Sequence, residues 1–211
     1  MAFISTRFIM YPIQTRCKIR FSFLLLCGWF AWACGTGMLL SVLLCAAVHE
    51  LGHLAVLRLC GCRVREFRVG ILGAVIEADT SRLSYGRELL AVLAGPFANL
   101  FFAAAMIRAG EEVLAGANIV LCGFNLLPLP LLDGGRALGL ILAWGLGPDR
   151  GEAVLRRIGT VSALVLSVFL LFLMVGTGGS LWLLPTCAAS AALVGKDAKI
   201  QEKICKKHLQ T

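Results

Sequence analysis

Apolar residues are concentrated in six runs along the chain, separated by short polar or glycine-containing segments. The runs cover residues 21–33, 38–57, 88–107, 113–132, 158–175 and 180–194. A membrane-spanning helix needs about 20 apolar residues, which the second, third and fourth runs provide. The first and last runs are shorter, so they must tilt, borrow flanking residues or thin the bilayer. The pattern predicts an all-α polytopic membrane protein with about six transmembrane helices.

Composition supports the same fold class. Of the 211 residues, 59% are hydrophobic and only 15% are charged, against about 25% in an ordinary soluble domain. These values exclude a disordered chain, a coiled coil and a typical soluble enzyme. We therefore expect a membrane-embedded domain over residues 1–195 and a lysine-rich cytoplasmic tail over residues 196–211.

The net charge of +8 is typical of basic cytoplasmic loops in a membrane protein. When six spans are threaded with both termini in the cytoplasm, 19 of the 20 Lys and Arg residues fall on that side. Only Arg108 lies outside. No basic stretch is interleaved with aromatic residues, so nucleic acid is not an expected partner. The predicted protein is multi-pass, with both termini cytoplasmic.

The first apolar run has a second interpretation. A basic start, a short apolar stretch and the sequence Ala31-Trp32-Ala33 before Cys34 are similar to a signal peptide with its cleavage site. The basic region is long for a signal peptide, and Trp32 fits the cleavage site poorly. We therefore favour a retained first helix.

Residues 58–87 do not have a helical pattern. Phe67, Val69 and Ile71 alternate with more polar positions, and Gly73 follows closely. Such alternation with glycines predicts short strands or a β-hairpin after the second helix. A surface hairpin explains the pattern most simply, although a strand edge that accepts an extended substrate is a second interpretation.

Two acids, Glu50 and Asp133, lie deep in apolar surroundings, where an ionisable group is costly and therefore a functional candidate. Residues 49–53 read His-Glu-Leu-Gly-His. Histidines four apart lie on one helix face, so His49 and His53 can reach one Zn²⁺ while Glu50 acts as a general base. A pair of packing histidines is the alternative, but buried imidazoles in an apolar span need partners.

A catalytic zinc site needs a third protein ligand, and Asp133 is the other acid in a suitable place. Pro128 and Pro130 precede it and unwind the helix, while two glycines after it allow a sharp turn. His49 lies about 12 Å from the cytoplasmic end of its span, and Asp133 approaches from that same side. A helix end with a capping Asp is the alternative interpretation.

The nine cysteines are odd in number and lie mostly in apolar runs, so we interpret them as packing residues and not as a disulfide framework. Cys45 lies four residues before His49, so a thiolate ligand is conceivable there, although packing is the usual role of such a cysteine. His208 lies in the lysine-rich tail and is interpreted as solvated.

Three motifs together resemble one known family. They are residues 49–53, residues 95–99 (Gly-Pro-Phe-Ala-Asn) and residues 125–135, which run from Asn125 through two prolines to Asp133 and two glycines. In this order they resemble the site-2 protease family of intramembrane zinc metalloproteases. Within that family, the six runs and the hairpin most resemble the stage IV sporulation protein FB group.

The resemblance implies a set of roles. His49, His53 and Asp133 would be the zinc ligands, Glu50 the catalytic base, and Asn125 a residue that holds the substrate backbone near the metal. The substrate would be a membrane-spanning or membrane-associated protein cut near the cytoplasmic face, with a sporulation pro-sigma factor as the candidate. The lipid bilayer and regulatory membrane proteins would be the other partners.

Two further function classes remain open from the sequence. The buried His, Glu and Asp residues could form the proton or ion relay of a transporter or channel, which inverted repeats would favour, and none is visible. The chain could also be a catalytically dead, regulatory relative. Zinc content with proteolysis, ion flux, or neither, distinguishes these classes.

Overall fold

The computed structural model of the protein describes residues 16–70, 73–79 and 83–176. The basic start of the chain, the sixth apolar run at 180–194 and the tail at 196–211, with His208, lie outside these residues. The predictions of a sixth span and a cytoplasmic tail therefore stay predictions.

Six helices and three short strands make up the described part of the chain. The helices are α1 (Phe21–Cys34), α2 (Thr36–Leu59), α3 (Tyr85–Ala109), α4 (Glu112–Asn125), α5 (Asp133–Leu146) and α6 (Pro148–Gly176). The strands are β1 (Arg16–Ile19), β2 (Val64–Gly70) and β3 (Gly73–Ala78). A mostly helical fold is thus confirmed.

Three of the described helices are long and apolar enough to cross a membrane, namely Thr36–Leu59, Tyr85–Ala109 and Pro148–Leu173. Helices α1 and α4 are apolar but shorter. These helices suggest an integral membrane protein. Six transmembrane helices are not confirmed by the part of the chain that the structure describes.

The fourth apolar run, 113–132, is not one continuous helix, and the unwinding that its two prolines predict is found in the structure. Helix α4 ends at Asn125, and the chain then turns before α5 begins at Asp133. The physical reason lies in Pro128 and Pro130, since a proline lacks the backbone donor and disfavours helical geometry at the residue before it. Asp133 is therefore the first residue of a separate helix.

Helix α3 is the centre of the bundle, because it packs against α2, α4 and α5. Helix α1 packs on α2, and α6 packs on α5. The contact between α2 and α3 is close enough to exclude a side chain at Gly52, where a Cβ would lie 2.5 Å from the Ala94 carbonyl oxygen and 2.7 Å from the Ala98 Cβ. A glycine is needed for this approach.

The strands form one sheet in the order β1-β2-β3. Strands β2 and β3 are antiparallel, which confirms the predicted hairpin after the second helix. Strand β1 pairs with β2 in parallel and was not predicted. Its contact is reinforced by a 2.7 Å ion pair between Lys18 Nζ and Glu66 Oε1, and by a 3.0 Å bond from the Arg20 amide to the Val69 carbonyl.

Replacing Gly52 with alanine tests the close contact of α2 and α3. We expect Gly52→Ala to lower the free energy of unfolding by about 1–3 kcal/mol, because the added methyl group overlaps the backbone of α3. Gly116→Ala is the matched control, since a Cβ there meets nothing within 4 Å. Thermal unfolding in detergent micelles measures both, and equal melting temperatures for the two variants would contradict the described packing.

Candidate metal centre

Helix α2 presents one buried stripe to the rest of the bundle. Its buried residues are Cys45, His49, His53 and Leu57, spaced four apart, which places them on one face of the helix. His49 is 5% exposed and His53 is 7% exposed. The predicted placement of both imidazoles on a single buried face is therefore found in the structure.

Asp133 reaches the same place from the N-terminus of α5. Gly134 and Gly135 pack directly on the preceding turn, where their Cβ atoms would lie 2.1 Å from the Leu126 carbonyl oxygen and 2.0 Å from the Leu129 carbonyl oxygen. Any larger residue would push the helix away from the turn. The two glycines thus allow the start of α5 to pack closely on the backbone of the preceding turn. This packing keeps Asp133 in the bundle interior, where it is 7% exposed.

Three ligand atoms meet at the centre of this arrangement. Asp133 Oδ2 lies 2.9 Å from His49 Nε2 and 3.1 Å from His53 Nε2. The two Nε2 atoms are themselves 3.1 Å apart. The structure therefore brings together His49, His53 and Asp133, which lie far apart in the sequence, as a group that could hold a metal ion.

The opposite nitrogen of each ring shows where its proton lies. His49 Nδ1 is 2.7 Å from Asn99 Oδ1, and His53 Nδ1 is 2.8 Å from the Ala91 carbonyl oxygen. Both partners are acceptors, so each Nδ1 donates a proton. In the neutral rings, both Nε2 lone pairs then face Asp133 Oδ2. Three electron-pair donors at such short range repel one another unless a proton or a metal cation lies between them.

The donor set fits zinc. Imidazole nitrogens and a carboxylate oxygen are ordinary zinc ligands, and bonds of about 2.0–2.1 Å in a tetrahedron place neighbouring ligand atoms about 3.3 Å apart. The observed separations of 2.9–3.1 Å are close to that value. Three protein ligands leave the fourth position open, as in catalytic zinc sites.

Glu50 lies beside this cluster without belonging to it. The side chain is partly exposed, and its carboxyl group interacts electrostatically with His53, His49, Asp133 and Arg136. Arg136 Nη1 is 3.7 Å from Asp133 Oδ1, the oxygen that does not face the histidines. The sequence interpretation placed Arg136 in a cytoplasmic segment, and it missed this contact one helical turn from Asp133.

Asn125, the predicted substrate-binding residue, is the last residue of α4. Its Nδ2 donates to the Leu121 carbonyl at 3.0 Å, and the side chain is partly exposed. It therefore stands at the start of the turn that leads to Asp133, and its role stays a prediction.

Three residues that sequence reasoning did not assign to the site support it. Gly95 lies under the histidine rings, where a Cβ would come within 2.3 Å of His53 Nε2. Asn99 bonds to His49, and Asn118 bonds to Asn99 at 2.7 Å. Asn99 could have been found as the last residue of the Gly-Pro-Phe-Ala-Asn motif. Asn118 could have been found as a polar amide within an apolar run.

Cys45 is not a member of the ligand cluster among the described residues. Its sulfur accepts a 3.0 Å hydrogen bond from Asn118 Nδ2, and the residue is 1% exposed. The packing interpretation fits this position better than a thiolate ligand does.

Comparison with known proteins places this geometry in context. The sequence model of peptidase family M50 matches residues 37–112. The putative zinc metalloprotease Rip3 of Mycobacterium tuberculosis is 34% identical over 174 residues, which are 74% of this chain and 43% of that protein. These matches show that the chain is similar to members of peptidase family M50.

Further comparisons agree with this likeness. The zinc metalloprotease MJ0392 of Methanocaldococcus jannaschii is 28% identical over 134 residues, or 58% of this chain and 39% of that protein. The chain thus spans less than half the length of these curated relatives. The solved structure of the site-2 protease from Methanocaldococcus jannaschii has a TM-score of 0.63 at 21% identity, covering 88% of this chain and 94% of that chain. This likeness shows that the fold is that of a site-2 protease.

Replacing Gly95 tests whether α3 forms the floor of the candidate metal site. We expect Gly95→Ala to lower zinc affinity at least tenfold, because the added methyl group displaces the His53 ring from its position. Gly86→Ala, on the same helix with nothing within 4 Å of its Cβ, should bind zinc like the wild type. Competition with a zinc-binding dye measures both affinities, and undiminished zinc binding by Gly95→Ala would contradict the arrangement.

Proposed function

We propose that the chain is an intramembrane zinc metalloendopeptidase in which His49, His53 and Asp133 hold the metal. The observation that carries this proposal is the convergence of three electron-pair donors within 2.9–3.1 Å at a buried position. The M50 match and the zinc metalloprotease relatives support it. A pair of packing histidines would not need Asp133 between them.

A zinc ion at this position would supply Lewis acidity, which polarises a peptide carbonyl and acidifies water. Glu50, adjacent to His49 and partly exposed, would accept the proton of the attacking water and then pass it to the leaving amide nitrogen. Arg136 would keep Asp133 oriented through Oδ1, 3.7 Å away. The chain itself thus supplies the base, the ligands and the group that orients one ligand.

We further propose that the substrate is bound in extended form, since a helical substrate hides the carbonyl that must be attacked. The described sheet offers β3 as an edge, and Val75 in its middle is 56% exposed. An unpaired strand edge can hydrogen-bond to an extended peptide. Asn125 would hold the substrate backbone from the end of α4, where its amide is partly exposed.

The substrate class follows from the location of the site. A buried site within apolar helices is reached most directly by a membrane-spanning or membrane-associated protein. The distribution of Lys and Arg supports a cytoplasmic location for the end of α2 that is nearer His49, so we propose cleavage near that face. A sporulation pro-sigma factor as substrate, and membrane proteins as regulators, stay predictions from the family resemblance.

Glu50→Gln distinguishes catalysis from metal binding. We expect the variant to keep about one zinc per chain and to lose cleavage by at least about 100-fold, because it keeps the ligands and removes the general base. Asp133→Ala should lose zinc as well as cleavage, since it removes a ligand. Zinc content after purification without chelators, followed by cleavage of a membrane-protein substrate, measures both.

Two results of that experiment would count against the proposal. Retained cleavage in Glu50→Gln would remove the assigned base. A metal-free wild type that supports ion flux across vesicles would favour the relay in place of the protease.

Cross-linking tests the proposed strand edge. We expect Val75→Cys in β3 to form a disulfide with a cysteine near the scissile bond of a bound substrate, in the Glu50→Gln background. Ile19→Cys on β1 is the matched control, because it is similarly exposed at 61% on the opposite strand of the sheet. Substrate that cross-links equally well to both positions, or only to Ile19→Cys, would exclude β3 as the docking edge.

A further inference from the structure

A chain of buried amide groups leads away from the proposed metal site. It begins at His49 Nδ1, passes through Asn99 on α3 and ends at Asn118 on α4. Both asparagines are completely buried, at 0% exposure. Completely buried amides in an apolar bundle are costly unless each polar atom is paired, so this chain of contacts requires a reason.

The contacts of Asn99 fix the orientation of its amide. Nδ2 donates to the Cys45 carbonyl at 3.0 Å and to Asn118 Oδ1 at 2.7 Å. These two bonds use both amide hydrogens, so the group that faces His49 is Oδ1, an acceptor. His49 Nδ1 therefore carries the proton, and Nε2 is left to face Asp133.

Asn118 is oriented in the same way by its own partners. Its Nδ2 donates to the Leu114 carbonyl at 2.8 Å and to Cys45 Sγ at 3.0 Å. A flipped Asn118 would bring an amide hydrogen against Asn99 Nδ2 and an oxygen against the Leu114 carbonyl. Each amide hydrogen of the two asparagines thus has its own acceptor, and flipping either amide would lose this pairing.

His53 needs no such support. Its Nδ1 donates to the carbonyl of Ala91, which belongs to the backbone of α3 and cannot flip. The partner of His49 is instead a side-chain amide, which can present either an oxygen or an NH₂ group. Only the surroundings of Asn99 decide which of the two faces the ring.

We propose that Asn118 and Cys45 are positioning residues that act through Asn99 to keep the His49 proton on Nδ1, so that Nε2 stays free to bind zinc. The proposal rests on the proposed zinc site. The described hydrogen bonds of Asn118 and of the Cys45 side chain go to each other, to Asn99 and to the Leu114 carbonyl and not to the ligand cluster, so their effect is transmitted by the orientation of the Asn99 amide. Outer partners of metal-bound histidines fix the ring and its tautomer in this manner.

Zinc affinity of the full chain in detergent, measured against a competing dye, is the first test. We expect Asn99→Ala to bind zinc about 10- to 100-fold more weakly, and Asn118→Ala to lose about tenfold. Cys45→Ala should also lose affinity, whereas Cys45→Ser should recover it, because a hydroxyl both accepts and donates. Cys122→Ala is the matched control, since Cys122 is a buried cysteine on α4 with no side-chain hydrogen bond to this network.

The protonation of His49 Nδ1 is the second test, and loss of packing alone would not change it. The chain has three histidines, so ¹⁵N labelling of the imidazoles gives few signals, and His49→Gln identifies those of His49. We expect the His49 proton to lie on Nδ1 in the wild type and on Nε2 in a fraction of the Asn118→Ala molecules. Cys45→Ala and Cys45→Ser supply the same comparison if Asn118→Ala does not fold.

One result would overturn the positioning role, and a different result would overturn the proposed zinc site. Unchanged zinc affinity together with a fully protonated Nδ1 in Asn118→Ala and Cys45→Ala would overturn the positioning role while leaving the zinc site intact. A wild type that takes up no zinc would overturn the proposed function. The Nδ1 signal of that metal-free protein, compared with Asn118→Ala, would still decide whether Asn118 keeps the His49 proton on Nδ1 through Asn99.

Discussion

The structure depends on one constraint, which is that two imidazoles and a carboxylate must be paired inside an apolar bundle. Each imidazole has two nitrogens, and the outer nitrogen of each ring is bonded to α3, at Asn99 and at the Ala91 carbonyl. The inner nitrogens are then turned toward Asp133 from α5. Helix α3 carries none of the three candidate ligands. Its Asn99 side chain and Ala91 carbonyl nevertheless fix the orientation of both histidine rings of α2, which fits its place at the centre of the bundle.

Backbone contact is the second condition for this arrangement. The approach of α3 to α2 requires glycine at Gly52 and Gly95, and the approach of α5 to the preceding turn requires it at Gly134 and Gly135. In a lipid environment the hydrophobic effect contributes little to helix association, so van der Waals packing between small residues is a principal source of attraction. Of these glycines, Gly52 directly precedes the candidate ligand His53, and Gly134 directly follows the candidate ligand Asp133.

Much of the site could be predicted from local rules. The four-residue spacing of His49 and His53 fixes their common face, and Asp133 was found because few acids occur in apolar surroundings. Strand β1 and the role of Asn118 could not be predicted, because each depends on a partner distant in the sequence, Glu66 to Val69 for the strand and Asn99 for the amide. The two prolines predicted that the helix is interrupted before Asp133, but hydropathy continues through residues 126–132 and could not give the residue at which α4 ends.

The parallel pairing of β1 with β2 has a topological consequence. These strands flank the α1–α2 pair, one before α1 and the other after α2, and hydrogen-bonded strands cannot face each other across a bilayer. The chain that enters α1 must therefore return through α2 to the compartment from which it started, as a closed loop whose two ends are fastened together. Proteolytic removal of the chain up to residue 33 would open that loop and leave β2 with a bare edge. Residues 16–33 are accordingly part of the folded framework that holds β2 and α2 in place.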